Sequence, residues 1–406
     1  MIIPYYGMVL FSTTALELSL NPCSHRCAYC FSRLNAYQRK ASFQSIMNLI
    51  KDFRNRETYT AKLLQEGYAV CVSNRSDPFA ESNYREMVPI IEAMTSQNIP
   101  IFFQTKGGKG IDDVLSFIPK SHWYITICSD DDNLMKQIEP GAPLVSERFK
   151  LIEKLVSKGH AVYVGINPAV RQWIKSTDSL AKKIKEYGAY GAIFYPLHIS
   201  GYQKGRQTQT EKELLSFVKI KKDRQESEQE ENLLKNLYLS CKKYGLAVNG
   251  WKYGEKSTIH LQYQQIYKKC LPVFHDFINW IIDNKKDGDF VYYDDFVNSM
   301  KGIPTFEIPL RDYIMGFKRN KQKDMNIPKV ASFDSLMRFA WEFENTNLNP
   351  VSKTRHLSYI VRKSSKEKGL FDSITDKKGN SIMRWHSEGF DYDYEFEDGK
   401  GVTIYD

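Results

Sequence analysis

Short apolar runs rich in β-branched residues alternate with longer amphipathic stretches between residues 15 and 200. Runs of this length and composition predict strands, which we place at residues 16–20, 69–74, 99–105, 123–129, 161–167 and 191–197. Three of the intervening stretches, at 39–65, 84–96 and 146–158, have the period of amphipathic helices. Strands that alternate with helices are typical of β/α units around a parallel sheet. The pattern therefore predicts an α/β fold, as a barrel or part of one.

The composition is that of a soluble chain with enough apolar residues for its own cores. Of the 406 residues, 42% are hydrophobic and 26% are charged, and the mean hydropathy is −0.47. No apolar run approaches the ~18 residues of a membrane-spanning helix, and no basic segment with an apolar core predicts a secretory signal. Three of the seven cysteines are clustered, which favours a reducing cytoplasm over a disulfide framework.

Beyond residue 255 the alternation of strands and helices stops. We predict three regions: a β/α domain at 1–255, a helical connecting region at 256–330, and a third domain at 331–406. In the third domain we predict a helix from Ser332, a second helix at 352–368, and a hairpin with a glycine-containing turn at 376–380. Helices followed by a hairpin resemble a winged-helix domain. Acidic residues dominate the tail after Trp385.

The formal net charge of +9 favours an anionic partner such as nucleic acid, although many soluble proteins are mildly basic. If the third domain binds nucleic acid, its basic residues would contact a groove or the phosphates. These residues are Arg355, Arg362, Lys363, Lys366, Lys377 and Lys378. A basic amphipathic helix beside a hairpin is common, so this feature alone does not define a nucleic-acid interface.

Three cysteines, Cys23, Cys27 and Cys30, occupy one short loop directly after the first predicted strand. The loop is therefore expected at the carboxyl edge of the sheet, where folds of this class bind ligands. Three thiolates can bind zinc or an iron–sulfur cluster. A closed zinc site needs four protein ligands, and His25 or a distant residue could supply the fourth. A four-iron cluster held by three cysteines keeps one iron open to a small molecule.

The spacing C-x3-C-x2-C, with the aromatic Tyr29 just before the last cysteine, resembles the signature of the radical S-adenosylmethionine (SAM) superfamily. The resemblance implies a partial (β/α)6 barrel and a [4Fe-4S] cluster on Cys23, Cys27 and Cys30. It also implies that the open iron binds SAM and that a donor such as flavodoxin or ferredoxin supplies an electron for its reductive cleavage. The 5′-deoxyadenosyl radical so formed would abstract a hydrogen atom from the substrate.

Further segments, in the same order along the chain, resemble the spore photoproduct lyase-like branch of this superfamily, often described as DNA repair photolyases. They are residues 76–79, 104–106, 124–129, 138–143 and 146–149, and the resemblance extends over roughly residues 10–200. It implies a lyase-like or base-modifying enzyme that acts on nucleic acid. In that branch, the nucleic acid is DNA. Glu139 and Arg148, which lie in two of these segments, are interpreted as a structural ion pair.

By the same resemblance, five residues would contact SAM. Tyr29 would lie against the adenine or ribose, and Ser76 and Thr126 would hydrogen-bond the methionine part. Lys106 would pair with the carboxylate of SAM. Asn167, at the end of the fifth predicted strand, would also face the cofactor. Alternatively, Ser76 belongs to a simple turn and Lys106 is a solvated loop lysine.

The chain departs from the lesion-reversing members of that branch at two positions. Asn74 occupies the place of their hydrogen-donating cysteine, and Phe31 occupies the place of a tyrosine. Cys128, at the end of the fourth predicted strand, is the candidate substitute donor, and Tyr29 is the second catalytic candidate. The alternative for Cys128 is a small buried core residue.

Two other functions stay open at this point. One keeps the radical chemistry but replaces nucleic acid by a peptide or a small metabolite. The other is a non-catalytic, zinc-bearing protein that binds nucleic acid.

Overall fold

The computed structural model describes residues 1–4, 12–36, 40–219, 224–250, 255–271, 273–299, 341, 360–362 and 374–385. The chain forms two compact units. The first comprises Met1–Ile3, Leu16–Val248 and Thr258–Lys269, and the second comprises Pro4–Ala15, Asn249–Ser257 and Cys270–Asp406. The division into three regions at residues 255 and 330 stays a prediction. Within the described ranges, no helix is both long and apolar enough to cross a bilayer.

A seven-stranded sheet organises the chain up to residue 196. Its strands are β1 (Ile2–Pro4), β2 (Leu16–Leu18), β3 (Val70–Val72), β4 (Ile101–Thr105), β5 (His122–Thr126), β6 (Ala161–Ala169) and β7 (Gly191–Pro196). They lie side by side in chain order, and every neighbouring pair from β2 to β7 is parallel. This is the winding of consecutive β/α units, so the predicted α/β fold is confirmed, consistent with a partial barrel. All six predicted strands are present, and β1 is an additional one.

Helices connect the strands and continue beyond the last of them. They are α1 (Phe31–Leu34), α2 (Phe43–Asp52), α3 (Tyr59–Gln65), α4 (Tyr84–Ser96), α5 (Ile111–Phe117), α6 (Asp132–Ile138), α7 (Val145–Ser157), α8 (Thr177–Glu186), α9 (Gly201–Gly205), α10 (Gln209–Leu214), α11 (Arg224–Lys243) and α12 (Leu261–Ile266). The helix predicted at 84–96 is α4, and the helix predicted at 146–158 is α7. The stretch predicted at 39–65 divides into α2 and α3, because a 3-10 helix (Phe53–Asn55) follows α2 and the Thr58 side chain caps α3.

The two faces of the sheet are packed by different aromatic residues. On one face, Phe103 of β4 and Trp123 of β5 stack with ring centroids 3.9 Å apart, and Phe79 stacks on both. On the opposite face, Phe102 packs against His122, with centroids 5.5 Å apart. Because side chains alternate along a strand, Phe102 and Phe103 necessarily point to opposite faces. We call the face that carries Phe102 and His122 the inner face.

Aromatic residues close the amino end of the inner face. The Tyr267 hydroxyl donates to the Ile101 carbonyl (2.5 Å) and accepts from the His122 amide (3.0 Å). His122 Nε2 lies 2.5 Å from the Tyr190 hydroxyl, and Tyr263 of α12 packs edge-on against the same imidazole. Burial lowers the pKa of His122 well below its usual value, so the ring is neutral. A ligand site on this face is therefore expected towards the carboxyl end of the strands.

The described residues of the second unit contain a small antiparallel sheet and two helices. The elements are α13 (Phe274–Asn284), β8 (Phe290–Val291), α14 (Tyr293–Ser299), β9 (Ile360–Arg362), β10 (Ile374–Thr375) and β11 (Ser381–Trp385). β11 pairs with β8, β9 and β10, and the pairing of β10 with β11 confirms the predicted hairpin.

The helix predicted at 352–368 is wrong at residues 360–362. Those residues form β9, where pairing with β11 favours the β-branched Ile360 and Val361 in extended backbone. Of the helix predicted from Ser332, only Trp341 is described, and it is helical. The acidic tail lies outside the described residues, and the winged-helix comparison stays a prediction.

Candidate active site at the carboxyl edge of the sheet

The loop with the three cysteines joins β2 to α1 and is held on one side by the turn after α6. The Ala28 amide donates to the Ile138 carbonyl (2.9 Å), and the Gly141 amide donates to the His25 carbonyl (3.0 Å). A Cβ at position 141 would lie 2.3 Å from the Ser24 carbonyl oxygen, so a side chain there would displace the loop. We call residues 138–141 the loop clamp.

The segment after β3 holds the other side of the loop. Ser24 and Ser82 exchange two hydrogen bonds, from Ser24 N to Ser82 Oγ (3.1 Å) and from Ser82 N to Ser24 Oγ (3.2 Å). The Asn83 side chain accepts from the Asn21 amide (2.9 Å) and donates to the Asp77 carbonyl (2.9 Å). The loop is thus fixed from two sides, which pre-organises any ligands that it supplies.

Two of the loop thiols, those of Cys23 and Cys27, are held in their neutral form. Cys27 is buried, and Cys23 and Cys30 are half-buried. Burial raises the pKa of Cys23 to about 12 and also raises that of Cys27, and the neighbouring thiols add to both shifts. In the described residues, no three His, Cys, Asp or Glu side chains are arranged as a finished metal site. Three soft sulfur donors in one loop fit an iron–sulfur cluster, whose binding would displace their protons.

His25, the candidate fourth zinc ligand, lies with Nδ1 3.5 Å from Asp77 Oδ2. Asp77 in turn accepts hydrogen bonds from Thr105 Oγ1 (2.7 Å) and the Lys106 amide (2.6 Å), both at the carboxyl end of β4. Burial lowers the pKa of His25, so a neutral imidazole faces this carboxylate. Asp77 therefore connects the cysteine loop to β4. Sequence reasoning assigned it no contact with the loop, although it lies in the segment after β3, where site residues are expected.

Five side chains form a network beside the loop; Glu139, Arg148 and Cys128 are buried, and Tyr29 and Lys106 are half-buried. Glu139 accepts hydrogen bonds from Arg148 and from the Tyr29 hydroxyl, and Lys106 Nζ lies 3.8 Å from Glu139 Oε1. Cys128 Sγ lies 3.4 Å from the Tyr29 hydroxyl oxygen. We call these five residues the buried network. The predicted ion pair between Glu139 and Arg148 is confirmed.

Arg148 also ties the network to two backbone segments. Its Nε donates to the Pro143 carbonyl (3.0 Å), just after the loop clamp. Its Nη1 donates to the carbonyl of Thr126 (3.1 Å), the last residue of β5 and a candidate SAM contact. The planar guanidinium thus holds the clamp, β5 and Glu139 at fixed relative positions.

The buried network carries one positive charge in excess. Burial acts to raise the pKa of Glu139, but the Arg148 and Lys106 cations outweigh it and hold the pKa below its usual value. Burial raises the pKa of Tyr29 well above its usual value and that of Cys128 to about 12, so both keep their protons. Two cations against one carboxylate suit the binding of an external carboxylate.

The other candidate SAM contacts lie at the same edge of the sheet. Ser76 is 5% exposed, and its Oγ has no hydrogen-bond partner among the described residues. A buried hydroxyl without a partner is costly unless a ligand or water satisfies it, so Ser76 fits a contact with a bound molecule. Asn167 of β6 is exposed and hydrogen-bonds the Tyr124 side chain. Within the described ranges, neither Ser76 nor Asn167 contacts the buried network by a hydrogen bond or ion pair.

Both the hydroxyl and the ring of Tyr29 contact protein groups, and its predicted contact with the adenine or ribose of SAM stays a prediction. Its hydroxyl is directed into the buried network, while its ring packs at 5.6 Å from the Trp173 ring and 5.6 Å from Lys106 Nζ. Trp173 had no role in the sequence reasoning, because no local signal connects it with the cysteine loop. The ring of Tyr29 can contact a cofactor only on the surface that these neighbours leave uncovered.

The candidate nucleic-acid contacts are only partly described. Lys377 and Lys378 are exposed in the hairpin turn, and Lys378 Nζ lies 2.9 Å from Asp294 Oδ2. Arg362 belongs to β9 rather than to a helix. Arg355, Lys363 and Lys366 lie outside the described residues, so the basic surface stays a prediction.

Comparisons with known proteins give distant similarities. No protein-family model matches the chain. Uncharacterized proteins of Mycobacterium bovis and Mycobacterium tuberculosis are 27% identical to it over 205 residues. The match covers 45% of this chain and 58% of those proteins, so the chain spans little more than half the length of the curated relatives it matches.

Two solved structures illustrate the similarity of fold. A spore photoproduct lyase complexed with dinucleoside spore photoproduct is similar over 58% of this chain and 76% of that chain, with 13% identity and a TM-score of 0.42. SuiB of Streptococcus suis, bound to the precursor peptide SuiA, is similar over 63% of this chain and 52% of that chain, with 14% identity and a TM-score of 0.39. Neither likeness carries a conclusion about function.

Proposed function

We propose that this chain is a radical SAM enzyme that acts on a nucleic acid. The observation that carries the proposal is the three-cysteine loop, fixed from two sides, next to a buried network with excess positive charge. Cys23, Cys27 and Cys30 would hold a [4Fe-4S] cluster. When bound, the cluster and SAM would supply one-electron reductive cleavage of SAM and, from it, a radical that removes a hydrogen atom from the substrate.

The protein's own residues would hold SAM in place. Lys106 would pair with the SAM carboxylate. Glu139, held by Arg148, positions the ammonium group of Lys106 for this contact. The unpartnered Ser76 hydroxyl would hydrogen-bond the methionine part of SAM. The Thr126 side chain and Asn167 would complete the site at the ends of β5 and β6.

Cys128 and Tyr29 would return a hydrogen atom to the substrate radical. Cys128 is fully buried, and its Sγ lies 3.4 Å from the Tyr29 hydroxyl oxygen, which offers a route from the thiol to a bound molecule. Once its hydrogen bond to Glu139 is released, the Tyr29 O–H would give its hydrogen atom to the substrate carbon, and the Cys128 S–H would then restore the O–H bond. The unpaired electron would move from carbon to oxygen to sulfur without a change in net charge. One electron from the external donor and one proton from solvent would then return the Cys128 thiyl radical to the thiol.

A nucleic-acid substrate is supported by charge and by sequence resemblance. The chain carries a formal net charge of +9, and Lys377 and Lys378 are exposed in the hairpin turn of the second unit. The segments at 76–79 and 138–143, which contact the cysteine loop, are among those that resemble the DNA-repair branch.

Anaerobic reconstitution of the full chain with iron and sulfide tests the enzyme class. We expect about four irons per chain and dithionite-dependent formation of 5′-deoxyadenosine from SAM. Ala substitutions at Cys23, Cys27 or Cys30 should abolish both, whereas Cys270→Ala, at a half-buried cysteine in the other unit, should retain both. A colourless protein with one zinc and no SAM cleavage would contradict the proposal.

Binding of DNA at two salt concentrations tests the substrate class. Release of counterions from phosphates should weaken binding at least tenfold between about 50 and 200 mM salt. Deuterium transfer from labelled oligonucleotides, with pyrimidine lesions or modified bases, into 5′-deoxyadenosine would identify the attacked carbon. Turnover of a peptide, with no DNA binding at either salt concentration, would overturn the nucleic-acid assignment and leave the enzyme class intact.

A further inference from the structure

A second polar cluster, separate from the buried network, lies within the sheet of the first unit. Glu17 of β2 is fully buried, and Arg75 Nε lies 2.7 Å from Glu17 Oε1. Gln104 Nε2 lies 3.4 Å from Asn74 Oδ1, and Gln104 Oε1 lies 3.9 Å from Cys71 Sγ. We call these five residues the inner polar cluster.

Strand register places the inner polar cluster on the inner face. Glu17 lies opposite Cys71 in the pairing of β2 with β3, and Cys71 lies opposite Phe102 in the pairing of β3 with β4. Phe102 belongs to the inner face, and Gln104 follows it by two residues, so its side chain points to the same face. The cluster therefore lies on the carboxyl side of the aromatic residues that close the amino end.

The inner polar cluster borders the candidate SAM site. Asn74 and Arg75 directly precede Ser76 in the chain, and Lys106 follows Gln104 by two residues. A molecule that contacts the cluster would lie next to SAM held by Ser76 and Lys106. A substrate that loses a hydrogen atom must occupy such a place, so this step rests on the proposed function.

Burial of the Glu17 carboxyl group costs free energy, and a contribution to stability alone does not explain why it is buried. Arg75 and Asn74 approach its carboxyl group, but neither carboxylate oxygen has a well-aligned hydrogen bond from a described residue. Burial raises the pKa of Glu17 to about 7, against the opposing effect of Arg75. Apolar residues of similar size often replace a buried ion pair without loss of stability, so a role towards a ligand explains Glu17 better than packing does.

The chemistry of the cluster suits a planar ring with donors and acceptors better than a phosphate. The Glu17 carboxylate compensates the charge of Arg75, which weakens the attraction of the guanidinium for an anion. The carboxamides of Asn74 and Gln104 and the guanidinium N–H groups of Arg75 can hydrogen-bond the donors and acceptors on the edges of nucleobases. Enzymes that act on a base commonly take it out of the helix and read its edge with polar side chains of this kind.

We propose that the inner polar cluster holds the target base of the nucleic-acid substrate. Arg75, Asn74 and Gln104 contact the base edge, and Glu17 acts through Arg75 as a positioning residue. The cluster therefore sets which base is attacked, whereas the phosphate contacts elsewhere set how tightly the strand binds.

Single-stranded DNA decamers that differ only in the central base (A, C, G or T) test this proposal on the full-chain holoenzyme. Fluorescence anisotropy measures the binding of each decamer, and 5′-deoxyadenosine formation is measured in parallel. We expect the wild type to prefer one central base about tenfold, as a single bidentate contact provides. Arg75→Gln and Glu17→Gln should reduce that preference below about threefold.

Glu92→Gln is the matched control, because it makes the same substitution at an exposed position of α4. An unchanged base preference in Arg75→Gln overturns the proposal. A wild type that cleaves SAM but binds the four decamers equally also overturns it. So does a wild type that cleaves SAM and processes a peptide instead. A wild type that does not cleave SAM contradicts the proposed function itself. If Glu17→Gln fails to fold, Arg75→Gln decides alone, since the Arg75 side chain is 23% exposed.

Discussion

The substitution Arg148→Met tests whether the buried network stabilises the site. Methionine is also a long side chain, but it removes the hydrogen bonds of Arg148 to Glu139, to the Pro143 carbonyl and to the Thr126 carbonyl. Glu139 then keeps Lys106, at 3.8 Å, as its cation within the network.

The expected loss of stability follows from the burial of these charges. Removal of one partner of a buried ion pair typically costs about 3–5 kcal/mol, because it leaves the other charge uncompensated. Lys106 compensates the Glu139 carboxylate in part, so we expect the lower end, about 3 kcal/mol in the free energy of unfolding. For a unit of this size, that loss corresponds to a decrease in Tm of roughly 6–12 °C.

Urea unfolding and calorimetry of the full chain measure the loss. Lys154→Met is the matched control, because it removes an exposed cation from the same helix, α7, where Lys154 pairs with Asp112. Exposed pairs of this kind contribute little, so the control should unfold like the wild type. A loss for Arg148→Met no larger than for Lys154→Met would refute the reasoning about the buried network.

Three further predictions follow from the same site. First, Glu139 has a lowered pKa in the folded state, so its stabilising effect is present above its unfolded pKa and is lost as the pH falls through the lower folded value. The stability difference between the wild type and Arg148→Met, measured by urea unfolding, should therefore shrink in acid, and a constant difference would contradict the assignment of charge. Second, Gly141→Ala should lower the iron bound after reconstitution, because the new Cβ meets the Ser24 carbonyl, whereas Gly205→Ala, with open space around it, should bind iron like the wild type. Third, Cys128→Ala should leave SAM cleavage near the wild-type rate and change the final product seen by mass spectrometry, while Cys241→Ala, at another buried cysteine, should change neither.

The fold of the first unit could be predicted from local sequence because its strands are short, mostly apolar runs and three of the stretches between them have an amphipathic helical period. The cysteine loop could be located for the same reason, since its three thiols lie within eight residues of one another. The predicted helix at 352–368 fails at β9 because its extended form depends on β11, a partner that is distant in sequence.

The buried network could not be predicted as a unit, because Tyr29 and Glu139 are 110 residues apart and meet only in the folded chain. The ion pair of Glu139 with Arg148 is closer in sequence and could be inferred. Glu17 did leave a local signal, a charged residue between two leucines in a strand that is otherwise apolar. Its partners Arg75 and Asn74 come from another strand end, so its significance depends on the sheet register.

The high pKa of Cys23 has a consequence for the life of the protein before the cluster is inserted. Because burial raises its pKa, the Cys23 thiol stays protonated at neutral pH. Since the thiolate is the form that alkylating reagents and peroxides attack, this half-buried cysteine should react more slowly than an ordinary one. The same fold that shapes the loop therefore keeps the Cys23 sulfur unreactive until the cluster is inserted.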